Sequence, residues 1–328
     1  MNRRRTFWAA LSLTLGLATG AAQAQSWIQI STGIQQIAAA ADGTLWGYTY
    51  TGQIVKGAIT GAPNTSGRKV TWAVMPPIPL GGSGGTNLPS TGSPVRLSVG
   101  GANQVLAIDT VRGVAYRWTG SAWQAAQGQN PGPISSVSAA SDGTMTAIAS
   151  GRPIQLTPCT APSAAFDDWS WLPHNFYYLS DPTTQTPPDL RAVAGPASNP
   201  WAITTSVPAQ LLYWNSLNAS LITNPRSSRS WWELAPPPPG AIRDLGVGSD
   251  GSVFAATADS RLWKAAITTP CAPGSAGCLQ TAGLRVNSVT WTPLANQPPA
   301  ALLQIAVLDQ NRLLGVAPNG DVYANYPI

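Results

Sequence analysis

A small residue followed by tryptophan recurs six times along this chain, at Ser26-Trp27, Thr71-Trp72, Ala122-Trp123, Ser170-Trp171, Ser230-Trp231 and Thr290-Trp291. The spacings are 45, 51, 48, 60 and 60 residues. A period of this length constrains the fold more than any other feature. One such unit cannot bury its apolar face alone and must stack on its neighbours. After each tryptophan comes a gap rich in Pro or Gly, then three short β-like runs.

The first unit shows the grammar most clearly. The run Ile34 to Ala41 reads as an inner strand of small and apolar residues, and Asp42-Gly43 as a hairpin turn that needs positive φ. Thr44 to Tyr50 reads as a second strand, Thr51-Gly52 as another turn, and Gln53 to Lys56 as a third strand. The turn returns as Asp142-Gly143 and Asp250-Gly251, and in weaker form as Ala102-Asn103, Ser198-Asn199-Pro200 and Asp309-Gln310-Asn311. Third strands align over Gly113 to Tyr116, Pro153 to Leu156, Gln210 to Tyr213, Arg261 to Lys264 and Asp321 to Ala324. Six units of three strands plus one tryptophan strand predict an all-β, six-bladed β-propeller of four-stranded antiparallel blades around a channel.

Chain order predicts how the ring closes. Each tryptophan strand follows the third strand of the preceding unit, so it serves as that blade's outer strand. The first tryptophan strand, Trp27 to Ile30, has no preceding unit, and the last unit ends at Ile328 without a fourth strand. Antiparallel pairing of Trp27–Ile30 with Val322–Asn325 cancels both deficits and removes two exposed edges.

The segments Ser26-Trp27-Ile28-Gln29-Ile30, Gln36-Ile37, Asp42-Gly43-Thr44-Leu45-Trp46-Gly47 and Gln53-Ile54 together resemble the tectonin repeat. That repeat is the unit of the tectonin and tachylectin-1 group of β-propellers. The resemblance runs through residues 25–328 but is sharp only in the first unit. The second and fourth units lack Asp-Gly, the third lacks a tryptophan equivalent to Trp46, and units after Ala161 carry long insertions. It implies a carbohydrate ligand, such as cell-surface glycans or lipopolysaccharide.

The N-terminus reads as an export signal covering residues 1–24. Arg3, Arg4 and Arg5 form a basic start, Phe7 to Ala18 a short apolar stretch, and Ala22-Gln23-Ala24 a small-residue cleavage site. Arg4-Arg5-Thr6-Phe7 fits twin-arginine export, and an arginine-rich start fits the general route equally. The expected location is periplasmic or secreted, and no transmembrane segment is expected. Without the three leader arginines the formal charge falls from +5 to +2, too small and too scattered for a nucleic-acid stripe. Charged residues make up 9% of the chain against 44% hydrophobic ones, which suits short strands joined by Gly/Pro turns rather than disorder. Cys271 and Cys278 bracket a six-residue loop and can form a disulfide after export; Cys159 is left over or pairs with one of them.

Catalytic patterns are sparse. His174 is the single histidine, and no Gly-x-Ser-x-Gly elbow surrounds a serine. One histidine and three cysteines without Cys-x-x-Cys spacing give no zinc pattern, no calcium-loop motif is present, and no cofactor is implied. Aromatic residues are the rich resource, with 14 tryptophans against four phenylalanines. Most repeat tryptophans read as filler between blades. The segment following Trp171 differs: His174, Phe176, Tyr177, Tyr178 and Gln185 form a ring-rich, polar connection suited to stacking on sugar faces. The same loop can instead pack its rings against the barrel mouth; with the sugar ligand that the tectonin resemblance implies, the expectation is an exported carbohydrate-binding propeller with this loop as its site. A propeller hydrolase or lyase with a central-channel site and a cell-envelope interaction scaffold are the alternatives.

Overall fold

The computed structural model describes residues 26–60, 69–79, 95–125, 132–157, 168–171, 189–196, 200–215, 231–235, 237–268 and 288–325. The leader expected over 1–24 lies outside them. Within these residues the chain forms six four-stranded antiparallel sheets, the blades of a β-propeller. Blade 1 is β2 (Ile34–Ala39), β3 (Leu45–Thr49), β4 (Ile54–Thr60) and β5 (Lys69–Val74). Blade 2 is β6 (Val95–Gly101), β7 (Gln104–Asp109), β8 (Val114–Trp118) and β9 (Trp123–Ala125). Blade 3 is β10 (Ile134–Ala139), β11 (Met145–Ala149), β12 (Arg152–Thr157) and β13 (Asp168–Trp171). Blade 4 is β14 (Leu190–Ala194), β15 (Trp201–Thr204), β16 (Leu211–Asn215) and β17 (Trp231–Ala235). Blade 5 is β18 (Ile242–Val247), β19 (Val253–Thr257), β20 (Leu262–Thr268) and β21 (Ser288–Pro293).

Blade 6 closes the ring through both ends of the chain. Its order is β22 (Gln304–Asp309), β23 (Arg312–Val316), β24 (Val322–Ala324) and then β1 (Ile28–Ser31). The pairing is antiparallel, with Ile28 opposite Ala324 and Gln29 opposite Tyr323, as the chain order predicts. The Trp27 indole N–H donates to the Asn296 carbonyl at 3.0 Å, tying this strand's start to the turn after blade 5.

Each blade interface has its own apolar core. Trp46, Tyr116, Trp118 and Trp123 fill the space between blades 1 and 2. Their three indoles meet edge to face at centroid distances of 5.2 to 5.6 Å, the favoured geometry for aromatic quadrupoles. Trp201 stacks on Tyr213 at 5.3 Å between blades 4 and 5. Ile30, Ile34, Ile37, Leu314 and Val322 seal blades 6 and 1. These tryptophans are spacers between blades.

The Asp-Gly turns differ slightly from the simple hairpin read in the sequence. In blade 1 the loop spans Ala40 to Gly43: the Ala40 N–H donates to the Thr44 carbonyl, and the Gly43 N–H returns to Ala40. Only the glycine takes positive φ, +86°, +89° and +80° at Gly43, Gly143 and Gly251.

Candidate functional site

The six inner strands line an axial channel with a cavity of about 240 Å³. In four of the blades a local irregularity sets which side chains face it. In blades 1, 3, 4 and 5 the inner strand carries one extra residue at its start, between Ile34 and Gln36, Ile134 and Ser136, Leu190 and Ala192, and Ile242 and Asp244. Such a bulge re-aims the residue that follows it. Gln36, Arg96, Ser136, Asp244 and Gln304 stand at equivalent places in five blades and all line the channel. Blade 4 has Ala192 there.

Most of this ring is bound to the next blade round. The Leu97 N–H donates to Gln36 Oε1 at 2.9 Å, and the Val193 N–H to Ser136 Oγ at 3.2 Å. The Ile305 N–H donates to Asp244 Oδ2 at 2.8 Å, and the Ile37 N–H to Gln304 Oε1 at 3.0 Å. Deeper in, Ser98 Oγ accepts from the Ala139 N–H and Ser138 Oγ from the Gly195 N–H. At the far end Asp42 Oδ2 accepts from the Ala102 N–H and Asp250 Oδ2 from the Gln310 N–H. These bonds satisfy amides of the inner strands and, at Ala102 and Gln310, of the turns that follow them. They also join like positions of successive blades, so all inner strands run the same way and the two mouths differ.

The mouth at which the inner strands begin is basic. Arg96, Arg191 and Arg243 are exposed there, and one Arg191 Nη donates to the Ile242 carbonyl at 3.0 Å. Among the described acids outside that ring, Asp109 pairs with Arg112 at 2.9 Å, Asp259 lies 3.7 Å from Arg261, and Asp189 is exposed. The opposite mouth carries the turn aspartates Asp42, Asp142 and Asp250 together with Asp309, which pairs with Arg312 at 2.6 Å.

Asp244 is the carboxylate of the inner ring, half-buried and lining the channel. Burial pushes its carboxyl from 3.8 up to about 6, against the pull of the Ile305 and Leu245 N–H groups and the positive fields of Arg96 and Arg191. Arg96 sits three blades away, across the axis. Among the described residues its guanidinium has no hydrogen-bond partner. With the oxygens of Gln36 and Gln304 committed, their NH₂ groups remain as donors. The ring thus offers a guanidinium, two amide donors and one carboxylate around a small cavity. Among the described residues no three His, Cys, Asp or Glu side chains converge as metal ligands.

His174, Phe176, Tyr177, Tyr178 and Gln185, the loop residues singled out in the sequence, lie outside the described residues, as do Cys159, Cys271 and Cys278. Sequence reasoning missed Arg96 and Asp244. The available signal was a polar residue at one position of five repeats, immediately before an apolar-then-small run.

No protein-family model matches this chain, and no curated protein sequence matches it significantly. Among solved structures, YCF48 from Cyanidioschyzon merolae is similar with a TM-score of 0.50 at 16% identity, covering 92% of this chain and 99% of that one. The β-propeller domain of Cps50 (Swd1) from Myceliophteria thermophila gives 0.50 at 10% identity, covering 92% and 99%. A gluconolactonase from Xanthomonas campestris gives 0.47 at 12% identity, covering 92% and 88%. At such identities the likeness is one of fold.

Proposed function

We propose that this protein is an exported carbohydrate-binding propeller that holds one small, hydroxyl-rich ligand in its axial channel. The observation that carries the reading is the inner ring itself. The Arg96 guanidinium, which has no hydrogen-bond partner among the described residues, the NH₂ groups of Gln36 and Gln304, and the Asp244 carboxylate that feels the Arg96 charge converge on a cavity of about 240 Å³. Convergent polar groups on apolar walls are the usual make-up of a small-molecule site. The cavity falls below the ~300–1,000 Å³ of sites for larger ligands, which suits a single sugar residue. The tectonin-like first unit supports a sugar as the ligand class, and the signal-like N-terminus supports a periplasmic or secreted setting. Lectin sites repeated between blades find less support, because Trp46, Trp118, Trp123 and Trp201 are buried in the interfaces.

The test is calorimetric titration of the exported protein with a panel of monosaccharides and short glycans. Binding to a sugar that is lost in Asp244→Asn or Arg96→Ala supports the axial site. Sugar binding untouched by both variants, or no sugar binding, overturns it. One observation favours a second reading, a hydrolase or lyase working at the same channel. A carboxyl raised to about 6 is poised for proton transfer near neutral pH. Proton NMR of the sugar panel incubated with the protein separates the two, since a binding protein leaves every spectrum unchanged.

A further inference from the structure

The polarity of the channel carries the argument one step further, on the premise that the axial site binds a sugar. Arg96, Arg191 and Arg243 stand at the mouth where the inner strands begin, with Asp189 outside them, and Asp42, Asp142 and Asp250 stand at the other beside the Asp309–Arg312 pair. A channel charged this way draws an anion in at one end and resists it at the other. Arg191 commits one nitrogen to the Ile242 carbonyl. Arg96 lines the cavity, and its planar fork of donors matches a carboxylate in bidentate fashion. Asp244, three blades away across the axis, is the opposite kind of group. It repels a second carboxylate but accepts hydrogen bonds from hydroxyls, and its Oδ2 is already held by the Ile305 N–H. An acidic ligand is therefore oriented, with its charge toward blade 2 and its hydroxyls toward blade 5.

We infer that the axial site selects a sugar acid, a uronic or aldonic acid, with its carboxylate on Arg96 and a hydroxyl donating to Asp244. A neutral sugar fills the same space but offers the Arg96 fork no carboxylate to hold. The guanidinium is then the specificity determinant, while Gln36 and Gln304 serve acid and neutral sugar alike.

The experiment is titration calorimetry of the full exported chain at pH 7.5 and 50 mM salt. The probes are glucuronate, galacturonate, their neutral parents glucose and galactose, and glucose 6-phosphate. One charge-assisted bidentate contact predicts that a uronate binds about tenfold tighter than its neutral parent. Arg96→Gln should erase that preference, costing the uronate about tenfold more affinity than it costs the neutral parent. Equal affinity for acid and parent in the unaltered protein overturns the inference, and so does a preference that survives Arg96→Gln. Tighter binding of the phosphate than of either uronate overturns the carboxylate assignment. In these three outcomes the axial carbohydrate reading stands, whereas that reading fails if no probe binds at all. Arg96 is exposed, so the variant should fold, and a melting temperature matching the parent's confirms that the comparison is fair.

Discussion

The turn aspartates show how one side chain serves two scales of structure. Asp42 Oδ1 accepts from the Thr44 N–H within its own turn, while Oδ2 accepts from Ala102 of the next blade. Asp250 does the same with Ser252 and Gln310. Burial alone would raise both carboxyls, but these hydrogen bonds outweigh it and hold them below the ordinary value. Asp244 is the reverse case, since burial wins there. Its folded value of about 6 exceeds the unfolded 3.8, so between those pH values the native state binds the extra proton. The associated stability is present below about pH 4 and is lost as pH rises through about 6. Asp244→Asn keeps an oxygen for the Ile305 N–H and cannot ionise. Its advantage over the parent should be near zero at pH 4 and grow to at most ~3 kcal/mol at pH 7, less whatever channel water screens. Urea midpoints across that range are the measurement, and parallel profiles for the two proteins would remove Asp244 from this role. A second residue-scale constraint lies at Gly100. A methyl group there would stand 2.6 Å from the Ala140 carbonyl carbon and 2.9 Å from its nitrogen. Ala140 backbone belongs to the neighbouring blade and cannot swing aside as a side chain does. Gly100→Ala should therefore cost about 1–3 kcal/mol or more, read from the shift in denaturation midpoint.

At the scale of elements, the ring depends on a four-residue strand borrowed from the far end of the chain. β1 supplies the outer edge of blade 6, buries Ile30, and offers Ser31 Oγ to the Trp72 indole N–H at 2.8 Å. Removing residues 26–31 should lower stability by several kcal/mol, since Ile30 alone contributes roughly 1.5–3 kcal/mol. It should also bare the edge of β24 and promote association. Chemical denaturation with size-exclusion chromatography tests both. A monomer of unchanged stability would mean that the closure is dispensable. This closure was legible in the sequence because counting strands leaves one deficit at each end. The tryptophans marked each outer strand from Trp72 in β5 to Trp291 in β21, as spacing alone implied. The bulge before Gln36, Ser136, Ala192 and Asp244 was not legible, because inserting one residue into a strand leaves no compositional trace. That bulge aims Gln36, Ser136, Ala192 and Asp244, whereas Arg96 and Gln304 reach the channel from strands with no bulge at that place, so the equivalence of the six positions stayed hidden although the strands bearing them were read.

The whole molecule turns sixfold repetition into a single centre. Repetition at the blade interfaces is spent on packing, where buried indoles and aliphatic side chains fill the space between neighbours. Repetition at the axis works differently, because six equivalent positions converge on one cavity and need not be identical. There the chain departs from its own pattern, placing Arg96 and Asp244 among the amides and serine of the other blades. A multivalent lectin and an axial receptor therefore make opposite predictions about stoichiometry. Six interface clefts would give several weak, equivalent sites and strong gains from ligand clustering. The axial cavity admits one sugar-sized ligand and gains nothing from clustering, since a channel walled by six blades cannot engage a crowded surface six times. Titration with the best-binding monosaccharide should give one site per chain. A polymer displaying the same sugar should bind no tighter per sugar than the monomer. A stoichiometry near six, or a gain of about a hundredfold on the polymer, would move the binding surface from the axis to the blade interfaces.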